Sequence, residues 1–479
     1  MLKKFIAVLL VLTLVCTVNV SALTINMEPS LSRTSYRGTL FVGGSGSGNY
    51  SSIQAAVDAA SNGDTVFVYD DSSPYLENVQ IISKSINLIG EDKASTMIYG
   101  GSGSALAIHA NNMIIEGFTF ENNGLNDGFR IDSCGSLVIQ DNIIEICRSG
   151  LYLYQVSNSI IRNNTIRSNL NNGMLIYYSS NNIIEENNIS SNGKNGIVII
   201  SSYHTDNNAT ISKNLFMNNA QSGILVQSSY NTIVENIFIN NGNAGVSLSE
   251  GESEYTDYNE VLKNHFLNNE YGIYISSISY PPGLSCTDNL MYHNNFINNT
   301  INAYDEDSNI WDNGYSTPFN LLTDGGNYWD DYIGSDEFSG PGQNITGSDG
   351  IGDTQYAITG GSNRDYYPLM NPIDDTESPH VELLSPKKDF LYILNREIRP
   401  FFTTLVIFKI DVQVYASDYL SGIDKVEFYI DDVLKDTLNS EPYLWTWNER
   451  EFSRHTIKVV AYDKFGNTAT AERDALKIF

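Results

Sequence analysis

The chain has 479 residues, with 56 acidic against 27 basic side chains and only 4 cysteines. A net charge of −29 sets its surface against nucleic acid and anionic lipid, and favours solubility or cation binding. Four cysteines do not make a disulfide scaffold, and the length suits two or three domains.

Lys3 and Lys4 precede an apolar run from Phe5 to Val15, and Val20-Ser21-Ala22 offers small residues for cleavage, so residues 1–22 are predicted to be a secretory signal peptide. The run falls short of the ~20 residues a spanning helix needs, and no later segment is apolar enough to cross a bilayer. Lys409 and Asp411 end the apolar octet Phe401 to Phe408. The mature chain is expected outside the cytoplasm: secreted, at the cell surface, or periplasmic where a periplasm exists. Cys16 leaves with the leader. Of the remaining Cys134, Cys147 and Cys286, the first two could pair.

The segment Ser52 to Ala60 puts Ile53, Ala56, Val57 and Ala60 on one helical face, which predicts a helix capping an otherwise open end. Gly63-Asp64-Thr65 then turns into a strand, Val66 to Tyr69.

A repeat dominates the middle of the chain. Gly128, Gly150, Gly173, Gly196, Gly223, Gly245 and Gly272 are each succeeded by apolar residues at +1 and +3, which places Ile197 and Ile199 inside. In step with them run Ile139/Asn142/Ile144, Ile161/Asn164/Ile166, Ile184/Asn187/Ile189 and four further sets ending at Met291/Asn294/Phe296. Each unit holds short period-2 strands that bury their inner face only by stacking on the next unit. The pattern predicts an all-β chain: a single-stranded right-handed parallel β-helix with about 22–23 residues per coil, over residues 38–310. At ~4.8 Å per coil the rod is about 50 Å long. Glycine is expected where a corner needs positive φ. Asparagine is expected to tolerate the left-handed region and to bond to the asparagine one coil above.

These repeats resemble the parallel β-helix of carbohydrate-active and surface proteins of the pectin-lyase-like superfamily. The opening, from Val42-Gly43-Gly44 through Ile53-Gln54-Ala55-Ala56 to Leu88-Ile89-Gly90, looks like the first coils of pectin methylesterases. Residues 311–373, with Gly326 to Tyr332, Asp349 to Thr354 and Asp365 to Met370, resemble the closing segment of NosD-like proteins. NosD itself is an accessory of copper-site assembly. The same closing segment offers a calcium loop, Asp349-Gly350-Ile351-Gly352-Asp353, toward which Asp330, Asp331 and Asp336 could converge.

Residues 374–379 read as a linker, and residues 380–479 as a β-sandwich from their alternating strands. Tyr443 to Trp447, His455 to Ile457 and Ala461-Tyr462-Asp463 resemble bacterial immunoglobulin-like domains. Residues 385–409 depart from that pattern.

Three spans from repeat glycine to repeat asparagine exceed the usual 14 residues: 18 from Gly196, 19 from Gly245 and 22 from Gly272. The insertions come after equivalent strands, so they should project from one edge of the rod. They carry Tyr203, His204 and Asp206, then Glu252, Tyr255 and Tyr258, then Tyr280, and form the predicted ligand-binding edge. No catalytic residue is assigned. Carboxylates paired with the basic partners that pectin-active enzymes need are absent, and His109, His204, His265 and His293 are scattered rather than clustered for copper. The sequence thus points to a non-catalytic protein that binds polysaccharide or cell-surface glycan, helped by outer tyrosines such as Tyr152, Tyr154, Tyr177, Tyr178 and Tyr274. The alternatives are a polysaccharide lyase, hydrolase or epimerase, and a NosD-like copper-handling accessory protein.

Overall fold

A computed structural model describes residues 38–201, 207–250, 255–277, 286–320, 323–373, 378–418, 423–450, 452–463 and 467–479. The predicted signal peptide lies outside these. No described helix is long and apolar enough to cross a membrane.

Each coil contributes three short strands, as in Leu151–Tyr154, Ile160–Arg162 and Thr165–Arg167. Coil pairs with coil in parallel, giving one eleven-stranded sheet and two ten-stranded sheets. The first sheet, of eleven strands, holds Ile160–Arg162; the second holds Thr165–Arg167 and the third Leu151–Tyr154. This is a parallel β-helix, as the repeat predicts. Ile139, Ile161, Ile184, Ile211, Ile233, Val261 and Met291 stack in register in the first sheet. In the second sheet Ile144, Ile166 and Ile189 give way to Phe216, Phe238, Phe266 and Phe296. All are buried. The phenyl rings lie 4.8, 4.9 and 5.0 Å apart at interplanar angles of 7–12°. The stack runs on to Trp329 at 4.3 Å and Tyr356 at 4.2 Å. Coil spacing and ring stacking share one length of ~4.8 Å, so aromatic columns fit without adjustment.

The corners are held by asparagine amides. From Asn142 through Asn164, Asn187, Asn214, Asn236, Asn264 and Asn294 to Asn327, each Nδ2 donates to the next Oδ1 at 2.9–3.1 Å. Two further ladders do the same at the other corners. One runs Asn169, Asn192, Asn219, Asn241, Asn269, Asn299; the other runs Asn231, Asn259, Asn289, Asn309.

Two expectations about the corners are corrected. None of the seven repeat glycines has positive φ. Instead, a Cβ at Gly173 would stand 2.6 Å from the Gly196 carbonyl oxygen and 2.9 Å from Ile189, and the other six are equally closed in. Glycine is required by close approach, not by conformation. Nor do the ladder asparagines take the left-handed region. The residue before each of the seven repeat asparagines does: Asp141, Asn163, Glu186, Lys213, Glu235, Lys263 and His293, at φ 51–57°.

The helix Ile53–Ala59 buries Ile53, Ala56 and Val57 over the first coils. Glu77 accepts from the Ile53 and Gln54 amides at 2.8 and 2.9 Å, which satisfies two of the helix's orphan donors. At the other end Tyr328–Trp329 extends the second sheet. Asp365 accepts from the Asn327 amide (2.7 Å) and the Trp329 indole (2.9 Å), and Asp305 from the Trp311 indole (2.8 Å). Burial pushes the Asp365 carboxyl up to about 7 and Asp305 up to about 6, against the pull of these donors. Cys134, Cys147 and Cys286 are buried thiols, so Cys134 and Cys147 are not paired. Cys147 fills the position that heads the second ladder, and its amide donates to Asn169.

The C-terminal immunoglobulin-like domain packs a three-stranded sheet and a seven-stranded sheet around Val412, Phe428, Trp447, Ile457 and Val459. The irregular residues 385–409 resolve into the strands Phe390–Ile393, Arg396–Pro400 and Leu405–Ile407, which widen the larger sheet.

Ile197 and Ile199 are both fully buried. Ile199→Asp should therefore cost at least ~3 kcal/mol by burying an unpaired carboxylate; an unchanged thermal midpoint would contradict the inward placement. Asn236→Ala removes donors to Ile211 and Asn264 and an acceptor for Asn214. It should lower stability by about 3 kcal/mol, against about 1 kcal/mol for exposed Asn163→Ala, which loses only a residue suited to the left-handed turn, in chemical denaturation. The two raised carboxyls make the folded state hold more protons than the unfolded chain between about pH 4 and 7. Their contribution to stability therefore grows as pH falls through that window. Asp365→Asn should flatten the pH slope of the melting temperature; a slope equal to wild type would mean that Asp365 is not its source.

Candidate functional site

Residues at +2 and +4 from each repeat glycine alternate outward along the third sheet. Register stacks them in two columns. One holds Arg130, Tyr152, Leu175, Val198 and Leu225; the other holds Asp132, Tyr154, Tyr177, Ile200 and Gln227. Tyr152 lies 5.8 Å from Tyr177, Tyr154 lies 5.6 Å from Tyr178, and Tyr177 lies 5.9 Å from Tyr178. Farther along the same sheet Tyr274 stacks on Tyr304 at 5.2 Å and 17°, and contacts Tyr271 at 4.9 Å. Between the two tyrosine groups the outer face carries Leu175, Val198, Ile200 and Leu225, then Gln227, Ser247 and Ser249.

The corner after this sheet carries the three insertions. Tyr203, His204, Asp206, Glu252 and Tyr280 lie outside the described residues. Tyr255 and Tyr258 are described, and both are exposed. Tyr258 stacks on Tyr230 at 5.2 Å and 21°, with the two residues 51% and 45% exposed. The loop is tied back to the rod: the Ser229 hydroxyl donates to the Tyr255 carbonyl at 3.0 Å, and Asp257 accepts from the Thr287 amide at 2.8 Å. Tyr230 and Tyr258 sit at φ 62° and 57°, and Tyr178 at 51°. The same left-handed turn recurs from coil to coil, at Asn163, Glu186, Lys213 and Glu235 among others, so it belongs to the build of the rod and here aims the two rings outward. The negative charge of Asp288 raises the Tyr258 hydroxyl above its ordinary range.

Tyr230 does not stand out in the sequence by itself. A signal for it is present all the same: Tyr230 precedes Asn231 as Tyr258 precedes Asn259, and those two asparagines belong to a ladder whose spacing the insertions obscure.

The five aspartates of the closing segment do not converge on one point. Asp330 and Asp331 both accept from Asn302, each at 2.9 Å, and Asp331 also accepts from Tyr356. Asp336 accepts from the Asp349 and Gly350 amides, Asp349 from Tyr315 and Gly340, and Asp353 from the Glu337 and Phe338 amides. These carboxylates staple loops. Among the described residues no three His, Cys, Asp or Glu side chains are grouped to hold a metal ion. Of the histidines that the sequence singles out, His109, His265 and His293 are described and His204 is not. His265 is buried and takes a bond at Nδ1 from Asn295, and burial lowers its pKa to about 4. His293 is buried with Nε2 donating to the Asp324 carbonyl at 2.8 Å. His109 stands alone among histidines on the third sheet.

Residues 57–255 and 207–334, together more than half of the chain, match the family described as "Periplasmic copper-binding protein (NosD)". Residues 403–459 match a bacterial Ig domain. No curated protein matches the sequence. Solved structures similar to the chain include the polygalacturonase of Erwinia carotovora ssp. carotovora, 13% identical with a TM-score of 0.42, over 58% of this chain and 94% of that one. An alginate lyase from Paenibacillus sp. is 14% identical with a TM-score of 0.40, over 53% and 94%. The fibronectin(III)-like modules of CbhA from Clostridium thermocellum are 19% identical with a TM-score of 0.18, over 26% of this chain and 59% of that one.

Proposed function

We infer that this chain, which belongs to the NosD family, acts outside the cytoplasm as a non-catalytic rod that binds a largely uncharged polysaccharide, rather than as a carrier of copper. The observation that carries this reading is the exposed Tyr230–Tyr258 stack beside a face already rich in tyrosine. Tyrosine offers a flat ring to the apolar face of a sugar and a hydroxyl to its rim. A row of such rings on a rigid sheet presents them at fixed spacing, which limits the entropy lost on binding.

Charge narrows the ligand. Residues 38–373 hold 36 acidic and 10 basic side chains, whereas residues 380–479 hold 16 and 13. The rod is the polyanion, and it repels a ligand charged along its whole length. A neutral or amino-sugar chain meets no such barrier. The histidines at hand do not support copper handling, since two of them are buried and engaged. Hydrolysis or elimination would call for carboxylates converging over a groove, and among outward positions of the third sheet Asp132 is the one carboxylate.

Tyr230→Ala with Tyr258→Ala removes two stacking contacts of ~1 kcal/mol each, so affinity for neutral oligosaccharides should fall at least about tenfold. Titration calorimetry on ligands chosen from a glycan array measures this, with the melting temperature as the folding control. Binding that survives both substitutions, or that tracks with residues 380–479 alone, would reject the tyrosine edge as the site.

A further inference from the structure

Two arginines at one end of the tyrosine face are built alike. Arg130 Nε pairs with Asp132 at 2.9 Å, and Arg148 Nη2 with Asp127 at 2.6 Å. Both arginine side chains are 46% exposed, while the carboxylates beneath them are 13% and 2% exposed. What solvent meets is therefore guanidinium, with the counter-charge submerged. Each arginine commits Nε and Nη2 to its aspartate and leaves the Nη1 edge without a bond among the described residues. Arg148 reaches back one coil to Asp127, three residues before Arg130, and Tyr152 on the coil of Arg148 has the Arg130 guanidinium 4.8 Å from its ring centroid. His109, 45% exposed, stands 3.7 Å from Asp132 on the adjoining coil. Along the outward positions of the third sheet, His109, Arg130 and Asp132 are the only side chains of the Asp, Glu, Lys, Arg and His types among the described residues.

We propose that Arg130 and Arg148 form a subsite for one carboxylate-bearing sugar unit in an otherwise uncharged chain lying on the tyrosines. The inference rests on the reading of the third face as a polysaccharide platform, and deepens it by naming the unit read at one end. A planar carboxylate matches the donor fork of a guanidinium, which an ammonium would meet only as a point charge. Tyr152 and Tyr154 supply the ring surface beside it. A single acidic unit escapes most of the repulsion that the acidic rod exerts on a polyanion, because screening confines its interactions to about a Debye length of ~8 Å.

The test compares two probes: a glucuronate-containing tetrasaccharide and the same tetrasaccharide with its carboxyl groups reduced to alcohols. Wild-type protein should bind the acidic probe at least tenfold more tightly. Arg130→Gln with Arg148→Lys, which keeps a cation over the buried Asp127, should erase that preference without weakening the reduced probe. Arg130→Gln alone serves as a second variant and should at least halve the preference. Equal affinity of the wild type for the two probes, or a preference intact in a folded double variant, overturns the subsite. Binding of the acidic probe through the arginines, with the reduced probe ignored, upholds the subsite and rejects the platform. Binding of both probes alike does the reverse, and binding of neither rejects both.

Discussion

A buried corner between two parallel strands leaves backbone carbonyls and amides facing inward with no strand to pair with, and this rod depends on how asparagine meets that demand. The side-chain amide brings an acceptor and two donors on one short stem. Asn214 uses all three: Nδ2 donates to the Ile184 carbonyl and to Asn236, and Oδ1 accepts both the backbone and side-chain N–H of Asn187. Serine would lack a donor, and aspartate would replace the donors with charge. The aliphatic and aromatic columns can stack only because the corners keep every coil in the same register.

The same periodicity explains what the interior refuses. Each of the seven repeat glycines lies against the carbonyl of the equivalent residue one coil on, a glycine in six cases and Asn302 for Gly272, and against an isoleucine or phenylalanine of the second sheet. A Cβ at any of these seven would push coils apart at one corner while the ladders hold them at the others. Exchange of isoleucine for phenylalanine between coils is tolerated, because a ring lying flat occupies one coil height. Tolerance is thus greatest on the solvent side of the corner after the third sheet, where insertions leave the next coil undisturbed and where Tyr230 and Tyr258 project.

The β-helix was legible because its signal is repetition, and seven glycines and seven asparagines in step leave little room for another fold. The inward placement of Ile197 and Ile199, and the helix near Ile53, came from pattern alone. The reason for the glycines did not, since a clash between Gly173 and Gly196 joins residues a coil apart and no local propensity encodes it. The ladder through Asn231 and Asn259 was hidden because insertions shift its spacing and Ala209 interrupts it. Tyr230 was lost with it. The arginine pair was also invisible: Arg130 and Asp132 are two apart, but Arg148 meets Asp127, 21 residues away, only through coil stacking. The spread of the closing aspartates over separate loops likewise depends on tertiary contacts.

The ladders also have a direction. In every step of all three, the amide oxygen accepts from the N-terminal side and Nδ2 donates toward the C-terminal side. Each column is therefore a line of dipoles set head to tail, as peptide units are in an α-helix, and the positive pole lies at the last coil. Residues 300–373, which close that end, hold 12 acidic side chains and a single basic one. A net −11 of the chain's −29 thus sits where the polarised columns terminate, so the rod is an electret whose own termination supplies compensating charge.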